Sequence, residues 1–430
     1  MTPTAAPPSP DVSAPNVAPE LPPARATGLL RMAGALHYRD FRLVWTGAFI
    51  STVGTWMQKV AQSWLVLTLA GTSSAFYLGL DSFLGEAPIL LLTLIGGVIA
   101  DRMDRRHVLI ASQVVQMSTA LTLAALVYAD QIRIWHVLVL SVITGVAQAF
   151  GGPAHHSLMP SLVPKEHLPN AIAFNAIQFN LARVIGPLIS GAALAAFGMA
   201  ACFGLNGLSF VAVIIGLLML GARPPAAGAT KSMKEELRGG FAYVRTDPSL
   251  VGLATLGFMG TFLASPLLTF LPAFVQSVLA GDVTLYTRLM SFAGAGAVVG
   301  ALGVAWLGKF THMGRTVLSL QIAMGVVIVL FANARSPILN GALLFTGGAC
   351  MVMVFAMLQS LVQLSAPNEM RGRVMSIYMM AFRGGMPLGS LVGGWLTNQF
   401  TAPPVLMMNG TILALAATWF LVRGHAVREL

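Results

Sequence analysis

The sequence predicts an all-α membrane protein in which twelve transmembrane helices form two six-helix bundles, with both termini in the cytoplasm. Three observations predict this class: the apolar composition, the number and length of the apolar windows, and the distribution of positive charge. The chain of 430 residues is 56% hydrophobic and only 9% charged, whereas soluble domains carry about 25% charged residues. Its mean hydropathy is +0.77, a value typical of a chain that crosses a membrane many times.

Twelve apolar windows follow one another along the chain. They cover residues 43–69, 75–100, 107–128, 134–157, 170–197, 200–221, 250–275, 287–308, 315–333, 337–363, 374–398 and 403–422. Each window can cross a hydrocarbon core of about 30 Å as an α-helix. The sequence lacks the alternating segments of roughly ten residues that build a transmembrane β-barrel. The windows therefore predict twelve membrane-spanning helices, which we call spans 1 to 12.

Positive charge is distributed unevenly between the two sides of the predicted membrane. Of the 25 Lys and Arg residues, 19 fall in the termini and in the loops on the N-terminal side of the membrane. Three fall in the opposite loops, namely Arg133, Arg288 and Arg335, and three lie inside spans. Because cytoplasmic loops carry an excess of Lys and Arg, this bias predicts cytoplasmic termini. It also explains the net charge of +10 by topology, so no nucleic acid partner is predicted.

Changes in composition divide the chain into four parts. Residues 1–36 hold eight prolines among their first 24, which predicts a disordered, partly polyproline tail. A basic stretch at 222–248 separates the first six windows from the last six and is predicted to be a cytoplasmic linker. These boundaries predict an N-terminal six-helix bundle at 37–221 and a C-terminal six-helix bundle at 249–430.

The two predicted bundles share a short sequence pattern. Arg183-x-x-x-Pro187 in span 5 recurs as Arg383-x-x-x-Pro387 in span 11. Internal repeats are typical of transporters built from two related bundles, whose substrate site lies near the middle of the membrane. The repeat therefore favours a transporter.

Span 1 carries an unusual polar face. Gln58 and Gln62 are four residues apart, and Lys59 and Gln62 are three apart, so helical spacing places them near one another. Polar and charged side chains inside a membrane are costly, and they usually face protein or water. We expect this face to line the interior. The alternative is that Lys59 extends its ammonium group to the outer interface.

Span 2 carries two acidic residues, Asp81 and Glu86. Glu86 lies 15 residues before Asp101, which places it about 22 Å from the cytoplasmic end of a helix. A carboxyl group in a dry environment takes up a proton more readily than one in water. Glu86 is therefore the first candidate for proton coupling and Asp81 the second. The alternative for both residues is a structural, hydrogen-bonded carboxyl group.

Spans 5 and 11 each contain an arginine. Asn180 and Arg183 are three residues apart in span 5 and can share a face, while Arg383 occupies the corresponding place in span 11. A charge at the centre of a bilayer costs from about 3 to more than 10 kcal/mol, so these residues must face protein or water. The predicted polar residues of a central cavity are Gln58, Lys59, Gln62, Asn180, Arg183 and Arg383.

A short charged turn separates spans 2 and 3. No charge occurs between Ala87 and Ala100, and five charges then follow within six residues. The pair Gly96-Gly97 precedes the turn, where small residues are expected to allow close helix approach. The turn can be an ordinary cytoplasmic loop. Its charged residues are Asp101, Arg102, Asp104, Arg105 and Arg106.

Several of these stretches resemble the major facilitator superfamily, and within it the transmembrane secretion effector branch. That branch has enterobactin-exporter-like and macrolide-efflux-like members. The signature between spans 2 and 3 is matched by Gly97, Asp101, Arg102, Arg105 and Arg106, whereas Asp104 stands where many members have Gly. Further similar stretches are 54–66, 162–164, 371–376 and 382–390.

The resemblance implies the major facilitator fold and secondary active transport by alternating access. It implies proton-coupled export of small, fairly apolar molecules by a multi-pass protein of the cell (inner) membrane. In the family picture, the turn from Gly97 to Arg106 is a conformational gate that holds the two bundles together on the cytoplasmic side. The implied partners are a small-molecule substrate, protons and the lipid bilayer.

Two alternatives to export stay open at this stage. The chain can be an importer or uniporter of a metabolite, or a membrane protein that binds or regulates without transporting. An enzyme is disfavoured because the sequence contains neither a nucleophilic triad pattern nor a P-loop. His155 and His156 are adjacent and have no third ligand at metal spacing, so we predict no metal site and no cofactor.

Overall fold

The computed structural model describes residues 33–221, 233–308 and 310–430. Most of the predicted N-terminal tail, the first part of the predicted linker and Lys309 lie outside the described residues. Within them the chain is helical and has no strand. The prediction of an all-helical protein is therefore confirmed.

Five long helices form the described first half of the chain. An aspartate caps the start of one of them, and a glycine interrupts another. They are α1 (Arg39–Ala70), α2 (Ser74–Arg102), α3 (Arg105–Tyr128), α4 (Ile134–Leu158) and α5 (Leu168–Leu218). Asp104 caps the start of α3, because its carboxylate accepts a hydrogen bond from the backbone N–H of Arg106. Gly198 interrupts α5 with φ 76°, a left-handed conformation that glycine adopts without steric cost. The two arms of α5 correspond to predicted spans 5 and 6.

The described part of the second half contains six longer helices, two short ones and the linker helix. They are α6 (Met233–Thr246), α7 (Pro248–Thr269), α8 (Leu271–Ser277), α9 (Val283–Leu307), α10 (Met313–Asn333), α11 (Pro337–Ser365), α12 (Arg371–Phe400), α13 (Ala402–Arg423) and α14 (His425–Arg428). Asp247 caps α7 and Asp282 caps α9. Helix α6 forms the described part of the predicted linker and packs against α12.

Nine helical stretches of the described residues are long and apolar enough to cross a membrane, judged by length and composition alone. Two of them, Arg39–Thr93 and Lys165–Leu218, are 55 and 54 residues long, and each contains two helical arms. Helix α12 is not among the nine, although it has 30 residues. With the two arms of α5 counted separately, the described residues form twelve long helices, so the protein has the predicted class. The exact number of spans stays a prediction.

The two halves meet along two seams where glycines allow backbones to touch. In the α2–α12 seam, a Cβ atom added to Gly79 would lie 2.2 Å from the carbonyl oxygen of Ser390. In the α5–α9 seam, a Cβ atom added to Gly294 would lie 2.8 Å from the carbonyl oxygen of Arg183. Small residues are the usual means of close helix approach in membranes. These seams bring α2 and the first arm of α5 against the opposite half.

Candidate functional site

A polar cluster in the first half is organised around α1. The ammonium group of Lys59 lies 3.6 Å from a carboxylate oxygen of Glu86 on α2. The Lys59 side chain is 55% exposed and that of Glu86 26% exposed. Both residues lie near the middle of their helices. The structure thus pairs Glu86 with Lys59, and water that reaches Lys59 can also reach this pair.

Asp81 occupies a separate part of the cluster. The side-chain amide of Gln62 on α1 donates to both carboxylate oxygens of Asp81 at 3.0 Å. The hydroxyl group of Ser141 on α4 donates to the same carboxylate at 2.5 Å, and Gln62 also donates to Ser141 at 2.9 Å. Asp81 therefore links α1, α2 and α4. Hydrogen bonds of this kind offset the cost of placing a carboxylate inside a membrane.

The indole ring of Trp56 lies between two cations. The Lys59 ammonium nitrogen is 5.4 Å from the ring centroid, and the guanidinium carbon of Arg183 on α5 is 5.5 Å from it. Both distances fit cation–π interactions, which contribute about 0.5–1 kcal/mol at exposed sites and about 2 kcal/mol for a desolvated cation. Phe179 packs edge-on against the same ring at 5.9 Å. Trp56 thus brings Arg183 to the cluster, which helical spacing alone could not predict.

The other predicted cavity residues lie in different surroundings. The carbonyl oxygen of the Gln58 side chain accepts a hydrogen bond of 2.6 Å from Asn206, on the second arm of α5. Asn180 donates to the backbone of its own helix at 2.9 Å. Arg383 on α12 is exposed, and it lies close enough to His156 on α4 to interact with it electrostatically. Arg383 therefore projects towards the first half of the chain.

The charged turn between α2 and α3 binds the ends of helices in its own half. Arg106 donates from Nε to the carbonyl oxygen of Leu217 at 2.7 Å and from Nη2 to that of Leu218 at 2.8 Å. Arg105 donates to the carbonyl oxygen of Ser157 at 3.3 Å. The two arginines thereby donate to carbonyl groups in the last turns of α4 and α5, where the regular helical hydrogen bonds end.

The remaining residues of the turn have different roles in the fold. Arg102 is exposed, and the side chain of Asp101 lies outside the described residues. The expectation that both glycines before the turn allow close packing is only half right. A Cβ atom on Gly96 would lie 2.2 Å from the Ala149 carbonyl oxygen, whereas one on Gly97 would meet nothing within 4 Å. On α2, Gly96 therefore faces α4, and Gly97 does not.

Arg106→Gln is expected to destabilise the protein by about 1–3 kcal/mol, because hydrogen bonds from a charged donor contribute about 1.5–3 kcal/mol and this side chain is only partly buried. The measurement is the apparent unfolding temperature of the purified protein in detergent. Arg102→Gln is the matched control, since it removes an exposed arginine from the same turn. Equal unfolding temperatures for the two variants would contradict the capping role of Arg106.

One family model matches nearly the whole chain. The model is described as transmembrane secretion effector, and the match covers residues 33–429. The chain belongs to the transmembrane secretion effector family. This family lies within the major facilitator superfamily, so the resemblance inferred from the sequence motifs is confirmed. Its members are membrane transporters and not enzymes.

Two relatives of this secretion effector are named as transporters of specific molecules. The Staphyloferrin A transporter of Staphylococcus aureus is 25% identical over 352 residues, which cover 81% of this chain and 87% of the relative. The Enterobactin exporter EntS of Escherichia coli is 27% identical over 377 residues, which cover 87% of this chain and 89% of the relative. The similarity thus extends over both halves of the secretion effector.

The fold of the secretion effector is that of solved major facilitator transporters. A bacterial homolog of the human lysosomal transporter Spinster, in an inward-facing and occupied conformation, superposes with a TM-score of 0.71. The superposition covers 91% of this chain and 97% of that structure at 13% sequence identity. At this identity the likeness shows the shared fold, and with the family match it makes this secretion effector a multi-pass membrane transporter.

Sequence reasoning missed four side chains that interact with the predicted site residues of this secretion effector. They are Trp56, Ser141, His156 and Asn206. Ser141 and Asn206 had a usable signal, because each is a polar residue in an otherwise apolar window. The sequence carries no such signal for Trp56 and His156, because tryptophan and histidine occur both near span ends and in ordinary helix packing.

Proposed function

We propose that this secretion effector is a proton-coupled exporter of small, fairly apolar molecules and works by alternating access. The family match and two relatives, one named for enterobactin export and one for staphyloferrin A transport, support a small-molecule substrate. The observation that carries the proposal is the Lys59–Glu86 pair near the middle of α1 and α2. Because the partner of Glu86 is a cation, the attraction between α1 and α2 at this depth depends on the charge of one carboxylate.

The proposed cycle uses the seams between the two halves. Leu90 on α2, one turn from Glu86, touches the α2–α12 seam, because a Cβ atom added to Gly384 would lie 3.5 Å from it. Protonation of Glu86 would remove its attraction for Lys59 and so alter α1 and α2 beside that seam. The proton would thereby favour one arrangement of the halves over the other, which is what coupling requires.

Asp81 is the second candidate for the proton site. Its carboxylate already accepts hydrogen bonds from Gln62 and Ser141, an arrangement that also suits a structural link between three helices. We place Glu86 first because its partner is a cation whose interaction depends directly on the charge of the carboxylate.

The turn from Gly97 to Arg106 is proposed to gate the cytoplasmic side. Arg105 and Arg106 hold the ends of α4 and α5 through their carbonyl groups, so a movement of the turn would reposition both helices. The polar residues Gln58, Gln62, Asn180 and Arg383 are proposed to line or border the substrate path.

The proposal can be tested with the purified protein in liposomes that carry an imposed pH gradient. A panel of small molecules, including enterobactin, would be assayed for accumulation against their own gradient, with protein-free liposomes and a protonophore as controls. Export coupled to protons requires substrate movement opposite to proton movement. Movement of both in the same direction would indicate an importer. Absence of any flux across the panel would contradict the transporter mechanism.

We propose that the chain crosses the cell (inner) membrane twelve times, with bundles at 37–221 and 249–430 and with both termini in the cytoplasm. Cysteine labelling is expected to show that the two ends of the spans face opposite compartments. In a background where the buried free cysteines Cys202 and Cys350 are replaced by alanine, Arg133→Cys should react with an impermeant maleimide from outside. Arg238→Cys, in the linker helix, should react only after the cells are opened. Labelling of both from one side would contradict this topology.

A further inference from the structure

Two arginines near the middle of the helices have no acidic partner among the described residues. They are Arg183 on α5 and Arg383 on α12, the first residues of the repeated Arg-x-x-x-Pro pattern. Neither forms a hydrogen bond to a side chain or a salt bridge within the part of the chain that the structure describes. The Arg183 guanidinium carbon lies 5.5 Å from the centroid of the Trp56 ring.

Each arginine lies at one of the two seams. The carbonyl oxygen of Arg183 touches Gly294 of α9, because a Cβ atom there would lie 2.8 Å from it. Gly384, next to Arg383, faces Leu90 of α2. The repeat thus places one arginine from each half at a contact with the opposite half.

The acidic groups inside the spans are already engaged. Glu86 pairs with Lys59, and Asp81 accepts hydrogen bonds from Gln62 and Ser141. The neighbour of Arg383 is His156, which cannot neutralise it. The spans therefore hold more positive than negative charge in the described residues. Charges inside a membrane normally pair with an opposite charge, and an unpaired one marks a functional site.

We infer that the substrate carries an anionic group, a carboxylate or phenolate, that binds to Arg183 beside Trp56. The guanidinium fork suits such oxygens, because it can donate two parallel hydrogen bonds. Trp56, stacked on Arg183, offers an apolar face to the body of the same molecule. This inference rests on the proposed function and narrows its substrate to small acids with an apolar or aromatic body.

The test compares two probes that differ by one charge, 4-nitrobenzoate and 4-nitrobenzamide. Both nitroaromatic rings quench indole fluorescence, so binding to the full-length protein in detergent can be titrated through its tryptophans. We expect saturable quenching by the benzoate and at least tenfold weaker binding of the amide, a difference of about 1.4 kcal/mol. Trp56→Phe should remove most of the quenching.

Arginine substitutions test where the benzoate probe binds. Arg183→Gln should weaken benzoate binding about tenfold, or by about 1.4 kcal/mol, and leave amide binding unchanged. Arg423→Gln, which removes an exposed arginine at the end of α13, is the matched control and should bind like the parent protein. Arg183→Lys keeps the charge and serves if Arg183→Gln does not fold; it should bind benzoate less tightly than the parent protein.

Three results would overturn the inference. They are equal affinity for the two probes, no saturable benzoate binding, and unchanged benzoate affinity in Arg183→Gln. The assay uses no pH gradient and no transport, so its outcome is separable from that of the proposed function. Transport driven by a pH gradient together with equal probe binding would reject the anionic substrate and keep the proton-coupled exporter.

Discussion

Glu86→Gln is expected to abolish substrate accumulation driven by a pH gradient while exchange of substrate down its own gradient continues. Glutamine has nearly the size of a protonated glutamate and cannot release a proton, so the variant mimics one state of the coupling site. The Lys59 ammonium group, 3.6 Å from the carboxylate, would lose its charge partner permanently. The variant can still bind substrate and alternate between its conformations, but it cannot take up and release a proton at this position.

The stability of this variant separates a coupling role from a structural one. Removing one partner of a fully buried ion pair costs about 3–5 kcal/mol, whereas exposed pairs contribute about 0–1 kcal/mol. Because the Lys59 side chain is 55% exposed, we expect a loss of stability of about 1 kcal/mol or less in Glu86→Gln. A much larger loss that Lys59→Gln restores would indicate that Glu86 is a structural partner.

The measurements are flux in liposomes with and without a pH gradient, beside thermal unfolding in detergent. Glu369→Gln is the matched control, because it makes the same chemical change at an exposed position before α12 and should behave like the parent protein. Full accumulation by Glu86→Gln would remove this residue as the coupling site. Asp81→Asn would then be the next variant to examine.

Gly79→Ala is expected to reduce transport strongly without preventing membrane insertion. The added methyl group would lie 2.2 Å from the Ser390 carbonyl oxygen and 3.1 Å from the Cα atom of Gly394. Both neighbours are backbone atoms, so α2 and α12 must separate. Overpacking of this kind costs about 1–3 kcal/mol, enough to shift a two-state equilibrium by roughly 5- to 150-fold. A transporter that cannot close this seam cannot complete its cycle.

Gly85→Ala on the same helix is the matched control, because its methyl group would meet nothing within 4 Å. It should transport like the parent protein. Opening of the seam can be followed with Ser390→Cys in a background without Cys202 and Cys350, since Ser390 is 0% exposed. Maleimide should label this cysteine faster in Gly79→Ala than in Gly85→Ala. Equal labelling and equal transport would show that the seam tolerates the methyl group.

The sequence by itself determined the class, the family and the presence of charge inside the spans. These properties are local, because hydropathy over about twenty residues sets whether a segment enters a bilayer. The cost of a charge in hydrocarbon likewise holds for Lys59, Glu86, Arg183 and Arg383 wherever they sit in the bundle. The turn signature was readable for the same reason, since its residues are contiguous.

Only the tertiary structure decided which of these residues meet. Lys59 and Arg183 are both basic residues inside spans of the first half, and the sequence does not decide which of them meets Glu86. The structure pairs Lys59 with Glu86 and stacks Arg183 on Trp56. Helical spacing gives the face of one helix, but the residue it contacts depends on the rotation and neighbours of another helix far away in the chain.

The glycines near the seams also have roles that only the tertiary structure decided. Gly79 and Gly85 lie on one helix and are alike in sequence, yet Gly79 touches the backbone of α12 and Gly85 faces open space. Asp104 departs from the family pattern in sequence, and the structure gives it a function as the cap of α3. A glycine or a cap acquires its role from the atoms packed around it, and the folded chain supplies those atoms.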